Sequence, residues 1–242
     1  LITVAELAKL TALSLEEVKE DVEQLESQGL VCVFPMRKDI YVWHSDSRRK
    51  ARQTIQDALK AYEERFPYRY GMKKAEVQAT HFQKIKANVF DKILEMLIDD
   101  GCLRRVDEFL CTPEYEVKKD GTYDKVSGIL LDTFGKAKYD FARYSEIDFK
   151  GVDRMIGDDI LNILLEEQKI VKVTDDMYTL KEYMERAKEV IKEKLREDPL
   201  ITIAQVRDLF ETSRKSAKPI LEYMDSIKVT KKTGAESERI AY

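Results

Sequence analysis

The sequence predicts a mainly α-helical protein with small β-hairpins, organised as four tandem winged-helix domains in an elongated arrangement. Two observations predict this fold class. One pattern, a helix followed by two short strands, occurs four times along the 242 residues. The helices that precede these strands carry capping residues and apolar residues at helical spacing.

The repeated pattern begins where an amphipathic helix ends, and it continues as an apolar strand, a turn and a second strand. The positions that we expect to be equivalent at the four helix ends are Gly29, Gly101, Lys169 and Lys228. Glycine just after a helix is typical of a left-handed backbone conformation, which it adopts without steric cost. Apolar and polar residues alternate in the second strands, which predicts hairpins that pack one face on a core.

The fourth copy shows the complete plan. Its first helix is predicted over 183–195 by the spacing of its apolar residues, and Pro199 follows its end. Thr202 is a capping residue for a short second helix, and a third helix is predicted over 212–224. Three helices followed by a two-stranded hairpin form a helix-turn-helix with a β-wing.

The first copy begins late. A helix is predicted over 2–7, and the capping box of Ser14 and Glu17 begins its last helix, so most of a first helix is missing and the domain is predicted to be truncated. The predicted domains are residues 1–47, 48–114, 115–180 and 181–242. No connection between them is long or rich in glycine and proline, so we expect neighbouring domains to pack together.

The composition limits the possible functions. Hydrophobic residues make up 43% and charged residues 36%, with a net charge of −4, so the whole chain has no general attraction for nucleic acid. No apolar stretch approaches the roughly 18 residues of a membrane span. The three cysteines, Cys32, Cys102 and Cys111, are odd in number and form no close pair, which favours free thiols over disulfides or a zinc site.

No catalytic site can be assembled from this sequence. The two histidines, His44 and His81, are isolated, and acidic residues alternate with lysines as on solvated helix faces. The segment Gly128–Lys136 resembles a phosphate-binding loop, but its glycines are too far apart and Ala137 follows the lysine. We therefore expect no enzymatic activity, no metal and no cofactor in these residues.

Positive charge is concentrated in the last domain. Residues 212–233 contain six bases and two acids. Five of these bases fall at the start of the third helix and on the first wing strand, Lys228 lies between the two, and one further arginine lies on the second strand. A helix-turn-helix protein contacts nucleic acid with these elements, and hydroxyls and open N–H groups at a helix start favour phosphate. The candidate binding residues from this pattern are Thr212, Ser213, Arg214, Lys215, Lys218, Lys231, Lys232 and Arg239.

A second, weaker basic cluster is formed by Arg48, Arg49, Lys50 and Arg52. It begins a predicted helix, where cations interact unfavourably with the helix dipole. Contact with RNA is possible there, but we favour the interpretation that the cluster is a solvated face.

Several stretches of the chain resemble one protein family. Val206–Lys215, Pro219–Asp225 and Val229–Gly234 resemble the last winged helix of bacterial selenocysteine-specific elongation factors, the SelB family. Arg65–Met72 resembles part of the second winged helix, and Ala187–Ile191 fits the opening helix of the fourth. The resemblance thus covers most of the chain.

The resemblance implies binding of messenger RNA. The family delivers selenocysteinyl-tRNA to a ribosome stalled at an in-frame UGA, and its C-terminal arm binds the selenocysteine insertion hairpin (SECIS) through the last winged helix. The matching motif adds Arg207 and Gly234 to the candidate RNA-binding residues. GTP and magnesium are expected only in N-terminal domains that this sequence lacks. The resemblance further implies a cytoplasmic monomer that does not contact a membrane.

Some positions depart from the family pattern, and two other functions remain open. Ser216 stands where the family often has an aromatic residue, and the wing loop 233–239, with Glu236, is longer and more acidic. The alternatives are a tandem winged-helix DNA-binding regulator and a winged-helix protein-interaction scaffold. A regulator predicts basic helices in several copies, whereas the third copy has the nearly neutral run Arg154–Asp159.

Overall fold

The computed structural model of the protein describes residues 1–235 and 237–242. Helices predominate, and in each of four consecutive segments the helices are followed by the hairpin of a small antiparallel sheet. The segments form two compact units, residues 1–117 and residues 118–242. The predicted class, mainly α-helical with tandem winged helices, is therefore confirmed. Among the described residues, no helix is long and apolar enough to span a bilayer.

The first domain opens with a short strand. Its elements are β1 (Ile2–Thr3), α1 (Val4–Thr11), α2 (Leu15–Ser27), β2 (Val31–Pro35) and β3 (Ile40–His44). The predicted capping box of Ser14 and Glu17 is present, and Thr3 forms a second one at α1. The helix predicted over 2–7 is wrong at its first two residues, because Ile2 and Thr3 pair with β3 instead.

The second domain contains the complete set of three helices. Its elements are α3 (Ser45–Arg65), β4 (Met72–Lys73), α4 (Lys74–His81), α5 (Ala87–Asp99), β5 (Arg104–Val106) and β6 (Phe109–Cys111). Gly71 has a φ of 142°, and a Cβ there would lie 2.3 Å from the Leu110 carbonyl oxygen. The glycine of the Arg65–Met72 motif is therefore required by close backbone packing.

The third domain replaces its second helix with a single 3-10 turn. Its elements are α6 (Gly121–Ala137), β7 (Ala142–Arg143), the 3-10 turn (Tyr144–Glu146), α7 (Arg154–Glu166), β8 (Ile170–Lys172) and β9 (Met177–Leu180). Gly128–Lys136 lies inside α6, so this segment forms no phosphate-binding loop.

The fourth domain follows the predicted order of helices. Its elements are α8 (Lys181–Glu197), β10 (Ile201–Thr202), α9 (Ile203–Leu209), α10 (Arg214–Ser226), β11 (Thr230–Lys232) and β12 (Glu238–Ala241). Thr202 caps α9 with Gln205 in a capping box, and Ser213 is the N-cap of α10.

Each domain has a three-stranded sheet, where the sequence predicted only a hairpin. In the described residues the strand orders are β1-β3-β2, β4-β6-β5, β7-β9-β8 and β10-β12-β11. The additional strand is two residues long. It immediately precedes α1, α4 and α9 in the first, second and fourth domains and the 3-10 turn in the third. Two residues are too few for an alternating pattern, so the strand exists only through its tertiary pairing.

One equivalence in the predicted repeat is wrong by one residue. Gly29, Gly101 and Lys228 have positive φ after their helices, but in the third domain the left-handed residue is Gln168, with φ 55°, and not Lys169. α7 ends at Glu166, so the position two residues beyond its end is Gln168, as in the other copies.

Neighbouring domains share apolar contacts within each unit. In residues 1–117, Phe34 and Trp43 of the first domain pack with the core of the second. In residues 118–242, Phe141 of the third domain packs with Met184, Ile191 and other core residues of the fourth. Removing this apolar surface from water stabilises each pair of domains by roughly 25 cal/mol per Å² buried.

Candidate nucleic-acid interface

The basic side chains at the start of α10 are exposed. Arg214 and Lys215 occupy the first turn, and within the described residues neither has an ion-pair partner. Lys218 lies one turn further and is 3.7 Å from Glu222, so its charge is partly balanced. Cations at a helix start oppose the helix dipole, so they lower the local stability of α10 unless an anion binds there.

The backbone adds donors to the same turn. Arg214 and Lys215 are the first two helical residues, whose N–H groups have no acceptor within a helix. The Ser213 hydroxyl is engaged within the turn, because it accepts a hydrogen bond from the Ser216 N–H at 3.3 Å and shares another with the Ser216 hydroxyl at 3.2 Å. The turn therefore combines two positive side chains with two outward N–H groups, an arrangement that suits a phosphate.

Thr212 and Ser213 are used in packing between domains, which corrects their predicted role as open donors. The Thr212 hydroxyl donates to the Asp140 carboxylate at 2.5 Å and to the Tyr139 carbonyl at 3.0 Å. The Ser213 N–H also donates to Asp140, at 3.3 Å. Asp140 of the third domain thus stands where an anion would approach the helix start of the fourth.

Ser216 belongs to the same contact. It is buried, and its hydroxyl donates to the Asp140 carbonyl at 3.2 Å. This bond gives a structural reason for a small hydroxyl residue where the SelB pattern often has an aromatic one. Asp140 was missed by the sequence analysis, because it lies 72 residues from Thr212 and no local pattern connects the two.

The first wing strand carries the second exposed basic group. Lys231 and Lys232 in β11 are exposed, and Gly234 follows them in the exposed wing loop. Lys231 lies 5.8 Å from the ring centre of Tyr242, close enough for a cation–π contact. Glu236, which is predicted to belong to an acidic wing, lies outside the described residues.

Arg239 is fully buried, and the prediction that it contributes to an exposed basic edge is wrong. Its side-chain exposure is 0%, and its Nε donates to the Asp225 carboxylate at 2.7 Å. Asp225 also accepts a hydrogen bond from the Thr230 hydroxyl at 2.6 Å. This buried ion pair connects the end of α10 to both strands of the wing.

The remaining predicted residues are partly balanced by acids. Arg207 is exposed and pairs with the neighbouring Asp208, with its Nε 2.7 Å from the carboxylate. In the second cluster, Arg48 pairs with Asp100 and Arg49 with Asp46. These pairs agree with the interpretation of the 48–52 cluster as a solvated helix face.

A cleft of about 670 Å³ lies beside Lys215, between the third and fourth domains. It places Arg143 and Lys150 of the third domain near the helix start. The acids that line the same cleft are Asp132, Asp140, Glu146 and Asp148. Acids therefore offset the three bases, and the cleft offers a phosphate less than the outer face of α10 does.

The fold and this exposed basic turn define a class of protein. It is a tandem winged-helix protein whose last domain carries the kind of basic surface that suits nucleic acid. Residues 56–110 and residues 193–236 each match a family model described as "Elongation factor SelB, winged helix". These segments lie in the second and fourth domains. Two of the four domains are therefore similar to SelB winged helices.

Relatives agree with this assignment. The chain is 23% identical over 239 residues to a selenocysteine-specific elongation factor of Desulfomicrobium baculatum, covering 96% of this chain and 37% of the relative. It also resembles the crystal structure of bacterial selenocysteine-specific elongation factor EF-Sec, with 16% identity and a TM-score of 0.50, over 87% of this chain and 32% of that one. The chain thus spans about a third of the length of these two proteins.

A further solved structure has a lower similarity score. The mRNA-binding domain of elongation factor SelB from E. coli, in complex with SECIS RNA, aligns with a TM-score of 0.41 and 19% identity. The alignment covers 49% of this chain and 97% of that domain.

Proposed function

We propose that this chain binds the SECIS hairpin of a messenger RNA through the fourth domain. The contact consists of the first turn of α10, with the β11 lysines as a second point of contact. The observation that carries the proposal is the exposed pair Arg214 and Lys215 at a helix start, within a domain that matches a SelB winged helix.

The shape of this surface favours an RNA hairpin over a DNA duplex. An A-form helix hides its base edges in a narrow groove, so proteins recognise RNA by its phosphates and by unstacked loop bases. A DNA-reading winged helix usually presents base-contacting side chains along its recognition helix. In α10, the third turn already brings Glu222 to the surface, so positive charge is confined to the helix start.

The role of the chain in a longer factor is also a proposal. We infer that it forms the mRNA-binding arm of a cytoplasmic translation factor whose other domains bind GTP, magnesium and selenocysteinyl-tRNA and engage the ribosome. The partial coverage of the relatives supports this, because they extend well beyond the matched region. The arm itself would act as a monomer, without catalysis or a cofactor.

Binding measurements on the 242-residue chain test the proposal. Arg214→Ala and Lys215→Ala should each weaken binding to a SECIS hairpin by about 1–3 kcal/mol, measured by fluorescence anisotropy at fixed salt. Arg48→Ala is the matched control, because Arg48 also begins a helix but pairs with Asp100. It should leave hairpin affinity unchanged.

The same measurements separate RNA recognition from general binding to polyanions. A DNA duplex of similar charge should bind the chain more weakly than the hairpin does. Equal affinities for hairpin and duplex would contradict RNA-specific binding. If both α10 variants bound the hairpin as well as the unmodified chain, the assigned surface would be wrong.

A further inference from the structure

The first domain exposes leucines at the turn between its two helices. Leu10, Leu13 and Leu15 are 76%, 42% and 51% exposed, which is unusual for large apolar side chains that lie close together. Leu10 lies in the last turn of α1, Leu13 in the connection and Leu15 at the start of α2. We call these three residues the leucine turn.

The leucine turn can be compared with the equivalent turn of the fourth domain. Ser14 and Ser213 are both N-caps, and Gly29 and Lys228 both have positive φ after the helix. Each pair differs by 199 in residue number, so the elements of the first domain align with those of the fourth without a gap from β1 to the end of α2. On this correspondence, Leu15 stands where the fourth domain has Arg214.

Basic residues of the fourth domain are replaced at the corresponding surface of the first domain. Glu16 corresponds to Lys215, and Cys32 and Val33 in β2 correspond to Lys231 and Lys232. The positions of Arg214, Lys215, Lys231 and Lys232 are thus apolar or acidic in the first domain, whereas Lys218 has a basic counterpart in Lys19. α2 contains six acids and one lysine, so its surface repels nucleic acid.

In the fourth domain, the first helix leaves the counterpart of Leu10 exposed. Leu209, the counterpart of Leu10, is 40% exposed although α8, the first helix of the fourth domain, packs in the same core. Met224, the counterpart of Leu25, is fully buried there. The exposure of Leu25 therefore has a different origin from that of the leucine turn, and Leu25 is left out of the surface.

The same turn already contacts protein in the fourth domain. Thr212, the counterpart of Leu13, donates a hydrogen bond to Asp140 of the third domain. The position is therefore accessible to a neighbouring protein surface. In the first domain the side chains at this turn are apolar, and acidic side chains of α2 lie beside them.

We propose that the leucine turn and the N-terminal half of α2 form a docking surface for a protein segment with apolar side chains flanked by lysine or arginine. The apolar centre takes leucine-like side chains from water, and the rim attracts the flanking bases. The rim carries Glu16, Glu17 and Glu20 against Lys19. A second copy of this chain is disfavoured as the occupant, because two acidic rims would face each other.

A designed peptide tests this surface directly. The probe is a fluorescently labelled amphipathic helix with leucines on one face and lysines beside them, titrated into the 242-residue chain. It should bind, and Leu10→Ser with Leu15→Ser should weaken binding by at least about tenfold, because buried apolar anchors dominate such interfaces. Leu209→Ser, at the equivalent exposed position of the fourth domain, should leave binding unchanged.

Charge variants and a second probe complete the test. Glu16→Lys with Glu20→Lys should weaken binding of the lysine-flanked peptide severalfold and reverse its dependence on salt, because the rim then carries a net positive charge. A peptide with glutamates in place of the lysines should not bind. The SECIS hairpin should bind the leucine variant as tightly as the unmodified chain.

Four results would overturn the proposal. The first is absence of peptide binding up to about 1 mM, near the weak limit of specific contacts. The second is equal affinity of the chain for the lysine and glutamate peptides, and the third is equal affinity of the lysine peptide for the leucine variant and the unmodified chain. The fourth is sedimentation showing that the chain self-associates through these leucines. The thermal unfolding of each variant verifies that these exposed substitutions leave the fold intact.

Discussion

Arginine in the fourth domain has two different roles, and the difference is set by tertiary contacts. Arg214 is exposed at a helix start, whereas Arg239 is buried against Asp225. A buried charge is stable only when it is paired and hydrogen-bonded, and the Asp225 carboxylate meets that requirement. Counting charge along the sequence treated both residues alike, because burial depends on the strand pairing of β12.

Replacing Arg239 should therefore damage stability before it affects binding. Arg239→Ala leaves the Asp225 carboxylate without its buried partner, and removing one member of such a pair typically costs about 3–5 kcal/mol. Chemical denaturation should show this loss. Arg207→Ala, at an exposed arginine, should change the free energy of unfolding by less than about 0.5 kcal/mol. An Arg239→Ala variant of normal stability would show that the ion pair is not structural.

Asp140 should weaken the attraction of the α10 start for phosphate. Its carboxylate accepts hydrogen bonds from Thr212 and Ser213, so it places a negative charge beside the proposed contact. Asp140→Ala should strengthen hairpin binding by roughly 0.5–1 kcal/mol, a modest effect because exposed charges are screened. Asp132→Ala, at an acid of the same cleft that pairs with Lys136, should have no effect. Weaker binding of Asp140→Ala would show that its packing role exceeds its charge effect.

At the scale of the element, helix starts were predictable because their signals are local. The caps formed by Ser14 with Glu17 and by Thr202 were identified from the sequence, since a cap needs only residues three positions apart. The strands β1 and β10 were not identified, because two-residue strands depend on partners some 40 residues away. The Asp140 contact with Thr212 was missed for the same reason. The exposed bases at the start of α10 could therefore be predicted from the sequence, whereas the contacts of Thr212 with Asp140 could not.

The capping box of α2 should make part of the stability of the first domain dependent on pH. Hydrogen bonds from the Ser14 backbone and side chain hold the pKa of Glu17 below its ordinary value of 4.5. The folded pKa is thus lower than the unfolded one, so this stabilisation is present above pH 4.5 and is lost as pH falls through the folded value.

Ser14→Ala should reveal this contribution. Losing the cap should cost about 1 kcal/mol of unfolding free energy at neutral pH, and the difference from the unmodified chain should shrink in acid. Ser27→Ala, at the other end of α2, is the control and should show no such pH dependence. The measurement is urea denaturation at several pH values between neutral and acidic. A difference that stayed constant with pH would mean that Glu17 does not take part in the cap.

At the scale of the whole molecule, charge distinguishes the first domain from the fourth. The chain has a net charge of −4, yet residues 212–233 have four more bases than acids. At 0.1 M salt the field of a surface charge extends only about 10 Å, so the basic turn of α10 acts locally despite the acidic total. Acidic α2 and basic α10 occupy the same position in their domains. The repeat thus carries opposite charge at equivalent positions of one fold.

The salt dependence of hairpin binding should report this local charge and not the total. With about three to five phosphate contacts, log K against log salt should have a slope near −3 to −4, because each neutralised phosphate releases counterions. Replacing Arg214 and Lys215 together by alanine should make the slope shallower by about 2. Replacing Glu16 and Glu20 of α2 by glutamine changes the total charge by two units in the opposite direction but should leave the slope unaltered. A slope that followed total charge in both variants would place the RNA contact elsewhere than on α10.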